Sequence, residues 1–139
     1  MSDLTVHIVS FGFKNGPPPL ANLVLDVRFL KNPYWVESLR PLTGLDTPVA
    51  EYVLEQDLAR DVLDNLETLL GATLPAMLSV KADSFVIALG CTGGVHRSTA
   101  MVEALAEQVR KNHPEYRVVT EHRDLESARV SNLEIGDRV

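Results

Sequence analysis

Stretches of apolar residues along the chain predict four β-strands. Residues 4–9 alternate apolar and polar positions and are rich in β-branched side chains, which is typical of a strand that ends near residues 10–12. Residues 23–27 and 116–120 are further apolar runs of strand length. The run at residues 85–89 contains no polar position, as expected for a strand that is covered on both faces.

Helical spacing fills the longest interval between these strands. From residue 49 to about residue 77, apolar side chains recur every three or four positions, and we expect two helices with a break near residues 56–57. Residues 46–48, Asp-Thr-Pro, are a good helix start, because an aspartate side chain can cap the first turn and proline is tolerated there.

A third helix is predicted after the strand at residues 85–89. It would bury Met101, Val102, Leu105 and Val109 and end near residues 112–114, Asn-His-Pro. One additional helical turn is predicted between the second strand and the first helix, at residues 35–39.

This order of strands and helices predicts a single three-layer α/β domain with a mainly parallel sheet. The 139 residues suffice for one well-buried core. We place the domain at residues 1–126 and expect residues 127–139 to be a loosely structured tail.

Composition narrows the functional classes. The net charge is −6, and most of the excess negative charge lies in residues 1–70. Because nucleic-acid binding depends largely on neutralising phosphates, this composition argues against it. The first residues lack the pattern of a signal peptide, and no apolar run could span a bilayer, so we expect a cytoplasmic protein without membrane contact. Cys91 is the only cysteine, and no residue spacing suggests a metal or a cofactor.

Polar and charged side chains follow all four predicted strands. Parallel sheets bind ligands at the carboxyl ends of their strands, so these groups are candidate site residues. They are Ser10 and Lys14 after the first strand, Asp26 and Arg28 after the second, the glycine-rich segment after the third, and His122, Arg123 and Asp124 after the fourth.

The segment between the third strand and the third helix reads Gly-Cys-Thr-Gly-Gly-Val-His-Arg-Ser from Gly90 to Ser98. A strand, a glycine-rich turn and a helix start bring backbone N–H groups together with the positive end of a helix dipole. The segment therefore predicts a glycine-rich loop that binds phosphate or another oxyanion. His96 and Arg97 would complete the charge neutralisation, and binding should strengthen as His96 is protonated.

The same segment has a second interpretation. Cys91 and Arg97 have the Cys-x5-Arg spacing of protein tyrosine phosphatases, in which the cysteine is the nucleophile, the arginine clamps the phosphate and the following hydroxyl, here Ser98, assists the thiol. Such an enzyme also needs a general acid, for which Asp26 or Asp124 would have to serve. Gly90 stands where those enzymes commonly have histidine.

Five motifs, in order, resemble one known family, the C-terminal domain of the RapZ RNase adapter proteins. The match covers about residues 4–126, without the N-terminal P-loop nucleotide-binding domain of that family. The motifs are Ser10-Phe11-Gly12-Phe13-Lys14, the run from Asp26 to Pro33, the run from Leu39 to Gly44, the run from Gly90 to Ser98, and His122-Arg123-Asp124.

Because no recognisable general acid accompanies Cys91, we expect a non-enzymatic regulatory and ligand-binding domain rather than a phosphatase. The resemblance implies an α/β fold and self-association into a homo-oligomer. It implies a pocket for an amino-sugar phosphate, glucosamine-6-phosphate, and binding of small RNA that is presented to a ribonuclease. The pocket residues that carry over are Thr92, Gly93, Gly94, His96 and Arg97, with Asp26, Arg28 and His122 as neighbours.

Structural roles remain open for several of these residues. Cys91 could be a small buried side chain, as free cysteines commonly are. Asp26 and Arg28 could form an ion pair that stabilises the fold. Phe11, Phe13 and Trp35 are expected in the core or at subunit contacts rather than as stacking platforms.

Overall fold

The computed structural model describes residues 3–125 and shows an α/β domain with a four-stranded, all-parallel sheet. The strands are β1 (Thr5–Gly12), β2 (Leu23–Asp26), β3 (Ser84–Cys91) and β4 (Arg117–His122), arranged in the order β2-β3-β1-β4. All four predicted strands are confirmed. The predicted tail at residues 127–139 lies outside the described residues.

Three α-helices complete the fold: α1 (Thr47–Leu54), α2 (Asp57–Ser79) and α3 (Arg97–Asn112). Helix α3 packs on β1, β3 and β4, while α1 and α2 pack on α3, which gives the three layers. The break between α1 and α2 falls where the apolar spacing predicts it. No helix within residues 3–125 is both long and apolar enough to cross a membrane.

The core lies between the sheet and the helices. Val6 and Ile8 of β1 and Leu4, just before that strand, are fully buried, as are Met101 and Leu105 of α3. The register aligns Gly12 of β1 with Cys91 of β3, and Asp26 of β2 with Gly90 of β3. The carboxyl ends of β1, β2 and β3 therefore open at one edge of the sheet.

The local structure between β2 and α1 contradicts one prediction and supports another. Asp46 is the N-cap of α1, but its carboxylate does not cap the helix; it accepts a hydrogen bond of 2.8 Å from the Thr43 N–H in the preceding turn. The helical turn predicted at residues 35–39 is present as a hydrogen-bonded turn, in which the N–H groups of Leu39 and Arg40 donate to the Val36 carbonyl at 2.9 and 3.0 Å. A 3₁₀ turn at Pro33–Trp35 precedes it; Pro33 starts this turn, and the Asn32 side chain accepts from the Tyr34 N–H.

Candidate functional site

A cavity of about 1230 Å³ lies over the carboxyl ends of β2 and β3. Its lining combines backbone of the glycine-rich segment, four cationic side chains and two aromatic rings. Of the candidate site residues, the cavity brings together Lys14, Arg28, Cys91, Thr92, Gly93, His96 and Arg97. The other lining residues include Tyr34, Trp35, Glu37 and Arg40.

The remaining candidates do not line this cavity. Gly94 and Ser98 lie behind the loop, where they contact the backbone of β1. Asp26 lies beside the cavity and forms an ion pair of 2.7 Å with Arg28, in agreement with the structural role considered for this pair. The hydrogen bond from Arg28 lowers the pKa of Asp26. His122 lies at the carboxyl end of β4, which is the outer strand on the side of the sheet away from β2.

The protein holds every carbonyl oxygen of residues 92–96, which we call the glycine loop. Each accepts a hydrogen bond from a neighbouring segment. The donors are Lys14 N–H to Thr92, the Asn15 side chain to Gly93, Thr99 Oγ1 to Gly94, Gly44 N–H to Val95 and Ala100 N–H to His96, at 2.8 to 3.2 Å.

The N–H groups of the same loop are in the opposite situation. Within residues 3–125, no acceptor is found for the backbone N–H groups of residues 92–97. The carbonyls are bonded within the protein, whereas these N–H groups have no acceptor among residues 3–125, so N–H groups at the start of α3 are available to an anion.

Arg97 is a buried cationic side chain of the cavity lining. Its side chain is 5% exposed, yet among the described residues no carboxylate lies within ion-pair distance of it. It donates to the carbonyls of Arg28 (2.7 Å) and Leu30 (3.2 Å) and to Thr92 Oγ1 (3.3 Å), and its Nε has no partner there. Asp26 interacts with Arg97 only through space, without an ion-pair contact. Because a buried charge without a contacting counter-charge is costly, Arg97 is a candidate group for binding an anion in the cavity.

Cys91 is buried at the base of the glycine loop. Its sulfur lies 3.1 Å from Ser98 Oγ and accepts from the Ser98 N–H at 3.4 Å. Gly90 precedes it because a Cβ there would lie 2.4 Å from the Phe11 ring, so a histidine cannot replace Gly90 without moving that ring. The sulfur therefore has the hydroxyl neighbour of a phosphatase cysteine, whereas the residue before it does not match that pattern.

His122 belongs to a separate polar chain behind the loop. Its Nδ1 lies 2.6 Å from Ser10 Oγ, and its Nε2 lies 3.0 Å from Glu103 on α3. Ser10 is in turn 3.5 Å from Thr99, the residue that binds the Gly94 carbonyl. In this structure, His122 contacts the supports of the loop rather than the cavity.

Comparison with known proteins places this geometry in a family. The family model for the RapZ C-terminal domain matches residues 4–126, nearly the whole chain. The chain belongs to this family. The glycine loop and Arg97 are therefore parts of a RapZ C-terminal domain.

Longer bacterial proteins contain similar sequences. A nucleotide-binding protein of Brevibacillus brevis is 47% identical over 125 residues, which are 90% of this chain and 42% of that protein. Nucleotide-binding proteins of Cutibacterium acnes (48%) and Shewanella putrefaciens (44%) match 88% and 91% of this chain, and 41% and 44% of their own lengths. The chain thus spans about two fifths of these relatives.

Sequence reasoning assigned no site role to several residues of this RapZ C-terminal domain that line the cavity. Tyr34, Glu37 and Arg40 come from the segment between β2 and α1, which has no regular strand or long helix to signal its position. Trp35 was expected in the core or at a subunit contact, and the core part of that expectation is wrong: the ring is 75% exposed on the cavity wall. The Asn32-Pro33 pair, which begins a turn, is the sequence signal that could have placed Trp35 on an exposed loop.

Asp124 stabilises the end of β1 at Gly12, from which the segment that binds the glycine loop continues. Its carboxylate accepts from Gly12 N–H at 2.7 Å and pairs with Arg123. Burial raises the pKa of Asp124, but the bonds from Arg123 and Gly12 outweigh it and leave the pKa below its ordinary 3.8. The stability that this carboxylate contributes is therefore complete above pH 3.8 and is lost as the pH falls through the lower folded pKa.

We expect Asp124→Asn to lower the free energy of unfolding at pH 7 by about 1–3 kcal/mol, since a charged hydrogen-bond acceptor is lost. The difference from the parent should shrink as the pH falls below 3.8 through the lower folded pKa, because the parent carboxylate then takes up a proton as well. Urea unfolding at pH 7 and at the lowest pH at which both proteins fold measures this. Asp57→Asn, which removes an exposed ion pair with Arg60, is the control and should change little. An equal loss at both pH values would contradict the role of the charge.

His96 is the group whose protonation should couple to anion binding. Burial holds its pKa below the ordinary 6.5; the carbonyl of Arg40, 3.2 Å from Nε2, opposes this shift, and the charge of Arg97 adds to it. The imidazole is neutral at pH 7, and its contribution to fold stability is lost as the pH falls below 6.5. An anion in the cavity would offset the cost of charging it.

We expect the affinity for sulfate, which stays dianionic throughout, to rise up to about tenfold as the pH falls from 7.5 to 5.5, because an adjacent anion raises a histidine pKa by about one unit. Isothermal titration calorimetry at several pH values measures this. In His96→Asn the pH dependence should flatten. A slope that survives this substitution would assign the coupling to another group.

Proposed function

We propose that this domain is a non-enzymatic regulatory domain that binds a phosphorylated small molecule. The phosphate would occupy the glycine loop against Arg97, and an amino-sugar phosphate such as glucosamine-6-phosphate is the candidate ligand that the family implies. The observation that carries the proposal is the buried guanidinium of Arg97, which has no carboxylate partner among the described residues, beside a loop whose N–H groups have no acceptor there.

Calorimetric titration at pH 7 tests this proposal. Inorganic phosphate and glucosamine-6-phosphate should both bind saturably, whereas glucosamine should not, because it lacks the anion. A ligand that binds only the folded state also raises the melting temperature, by an amount that grows with its concentration above Kd. The absence of saturable binding by either phosphorylated compound would overturn the proposal.

A thiol-dependent phosphatase is the alternative, favoured by one observation: the contact of Cys91 Sγ with Ser98 Oγ. The two candidate general acids are engaged elsewhere, Asp26 with Arg28 and Asp124 with Gly12 and Arg123. We therefore expect no turnover of p-nitrophenyl phosphate above that of Cys91→Ser. Turnover that disappears in Cys91→Ser would establish the phosphatase instead.

The family resemblance also supports an adapter role, in which a homo-oligomer of this domain binds small RNA and presents it to a ribonuclease. The four cationic side chains around the cavity could contact phosphates despite the net charge of −6. Binding through the RNA backbone should weaken steeply with salt. RNA titrations at several salt concentrations, with the oligomer size measured by light scattering, test both parts; a salt-independent affinity or a monomer would count against them.

A further inference from the structure

One wall of the cavity consists of aromatic surface that the phosphate does not need. Tyr34 and Trp35 lie on the 3₁₀ turn between β2 and α1 and line the same cavity as the glycine loop and Arg97. A bare phosphate fills only a small part of a 1230 Å³ cavity, whose volume exceeds the ~300–1000 Å³ typical of small-molecule sites. The rest of the ligand therefore has room beside these rings.

The two rings are held in place. Their centroids are 5.3 Å apart at an interplanar angle of 86°, an edge-to-face contact. The Arg40 guanidinium lies 4.9 Å from the centroid of the Tyr34 ring and donates to the Tyr34 carbonyl at 2.8 Å. Tyr34 is thus supported by both neighbours, whereas Trp35 remains 75% exposed.

We propose that Trp35, against which Tyr34 packs edge-to-face, forms a stacking subsite for a flat-faced ring that is covalently attached to the phosphate bound at the glycine loop. This inference rests on the proposed phosphate site, and it specifies which chemical group is attached to the phosphate. Aromatic side chains bind the flat face of a ring, and indole offers a large rigid surface at low entropic cost. Both a sugar ring and a nucleobase present such a face.

Trp35 provides the assay, because it is the only tryptophan of the chain. Its fluorescence should change saturably with glucosamine-6-phosphate or adenosine monophosphate, and much less with inorganic phosphate. The ring-bearing ligands should also bind more tightly than inorganic phosphate. Whichever of the two has the higher affinity identifies the ring as sugar or base.

Trp35→Ala should weaken the tighter ring-bearing ligand about 5- to 100-fold, the range expected for the loss of one stacking contact, while the affinity for inorganic phosphate stays within twofold. Phe29→Ala is the matched control, because Phe29 is a half-exposed aromatic residue outside the cavity lining. It should leave all affinities unchanged. Calorimetry measures both variants, and circular dichroism verifies their folding.

The two proposals fail in different ways. If inorganic phosphate binds but the ring adds no affinity, or if Trp35→Ala behaves like Phe29→Ala, the stacking subsite is wrong and the phosphate site stands. If neither inorganic phosphate nor the two ring-bearing phosphates bind, both proposals are wrong.

Discussion

Replacing Arg97 by alanine is expected to weaken phosphate binding at least 100-fold. Hydrogen bonds to charged groups contribute about 1.5–3 kcal/mol each, and a guanidinium can present two N–H groups to one phosphate, so about 3 kcal/mol or more is lost. Each 1.4 kcal/mol corresponds to a tenfold change in Kd. Calorimetry with inorganic phosphate at pH 7 measures the loss.

Two further substitutions separate charge and geometry from general damage. Arg97→Lys keeps the charge but not the planar fork, so its affinity should fall between those of the parent and the alanine variant. Arg60→Ala removes an exposed arginine of α2 and should bind like the parent. If Arg97→Ala retained phosphate affinity within threefold of the parent, Arg97 would be a structural arginine that only ties the carbonyls of Arg28 and Leu30 in place.

The sheet and helices could be predicted because their signals are local. The unbroken apolar run at residues 85–89 marks a central strand, and β3 does lie between β1 and β2. The change in apolar spacing near residues 56–57 marks the break between α1 and α2. The prediction that the Asp46 side chain caps α1 is wrong, because its carboxylate accepts from a competing local donor, the Thr43 N–H. The sequence pattern that marks a helix start does not reveal this competition.

The part of the candidate site that could be predicted consists of residues that follow the carboxyl ends of parallel strands, because those ends lie along the same edge of the sheet. That rule brings Arg28, Cys91 and the glycine loop together. It does not give the strand order: β4 is the outer strand on the side away from β2, so His122 points to Ser10 and Glu103 instead of to the cavity. Trp35 and Arg40 depend on the path of an irregular segment, which tertiary contacts determine.

Gly94→Ala is expected to destabilise the fold strongly. Gly94 has a φ of +75°, and a Cβ there would lie 2.6 Å from the Gly12 nitrogen and 2.7 Å from the Phe11 carbonyl carbon. Left-handed backbone costs a non-glycine residue about 1–2 kcal/mol, and overpacking against backbone that cannot move costs about 1–3 kcal/mol more. Urea unfolding should show a loss of about 2–5 kcal/mol, a large share of the ~5–15 kcal/mol typical of a domain.

Gly71→Ala is the matched control for this loss. Gly71 lies on α2, and a Cβ there meets no atom within 4 Å. Alanine should therefore stabilise the helix by about 0.5–1 kcal/mol. At temperatures where Gly94→Ala remains folded, phosphate affinity should still be reduced, because the distorted loop no longer aligns its N–H groups. A Gly94→Ala variant with parental stability would show that the loop can adopt another backbone conformation, and parental phosphate affinity in the same variant would remove the glycine loop from the anion site.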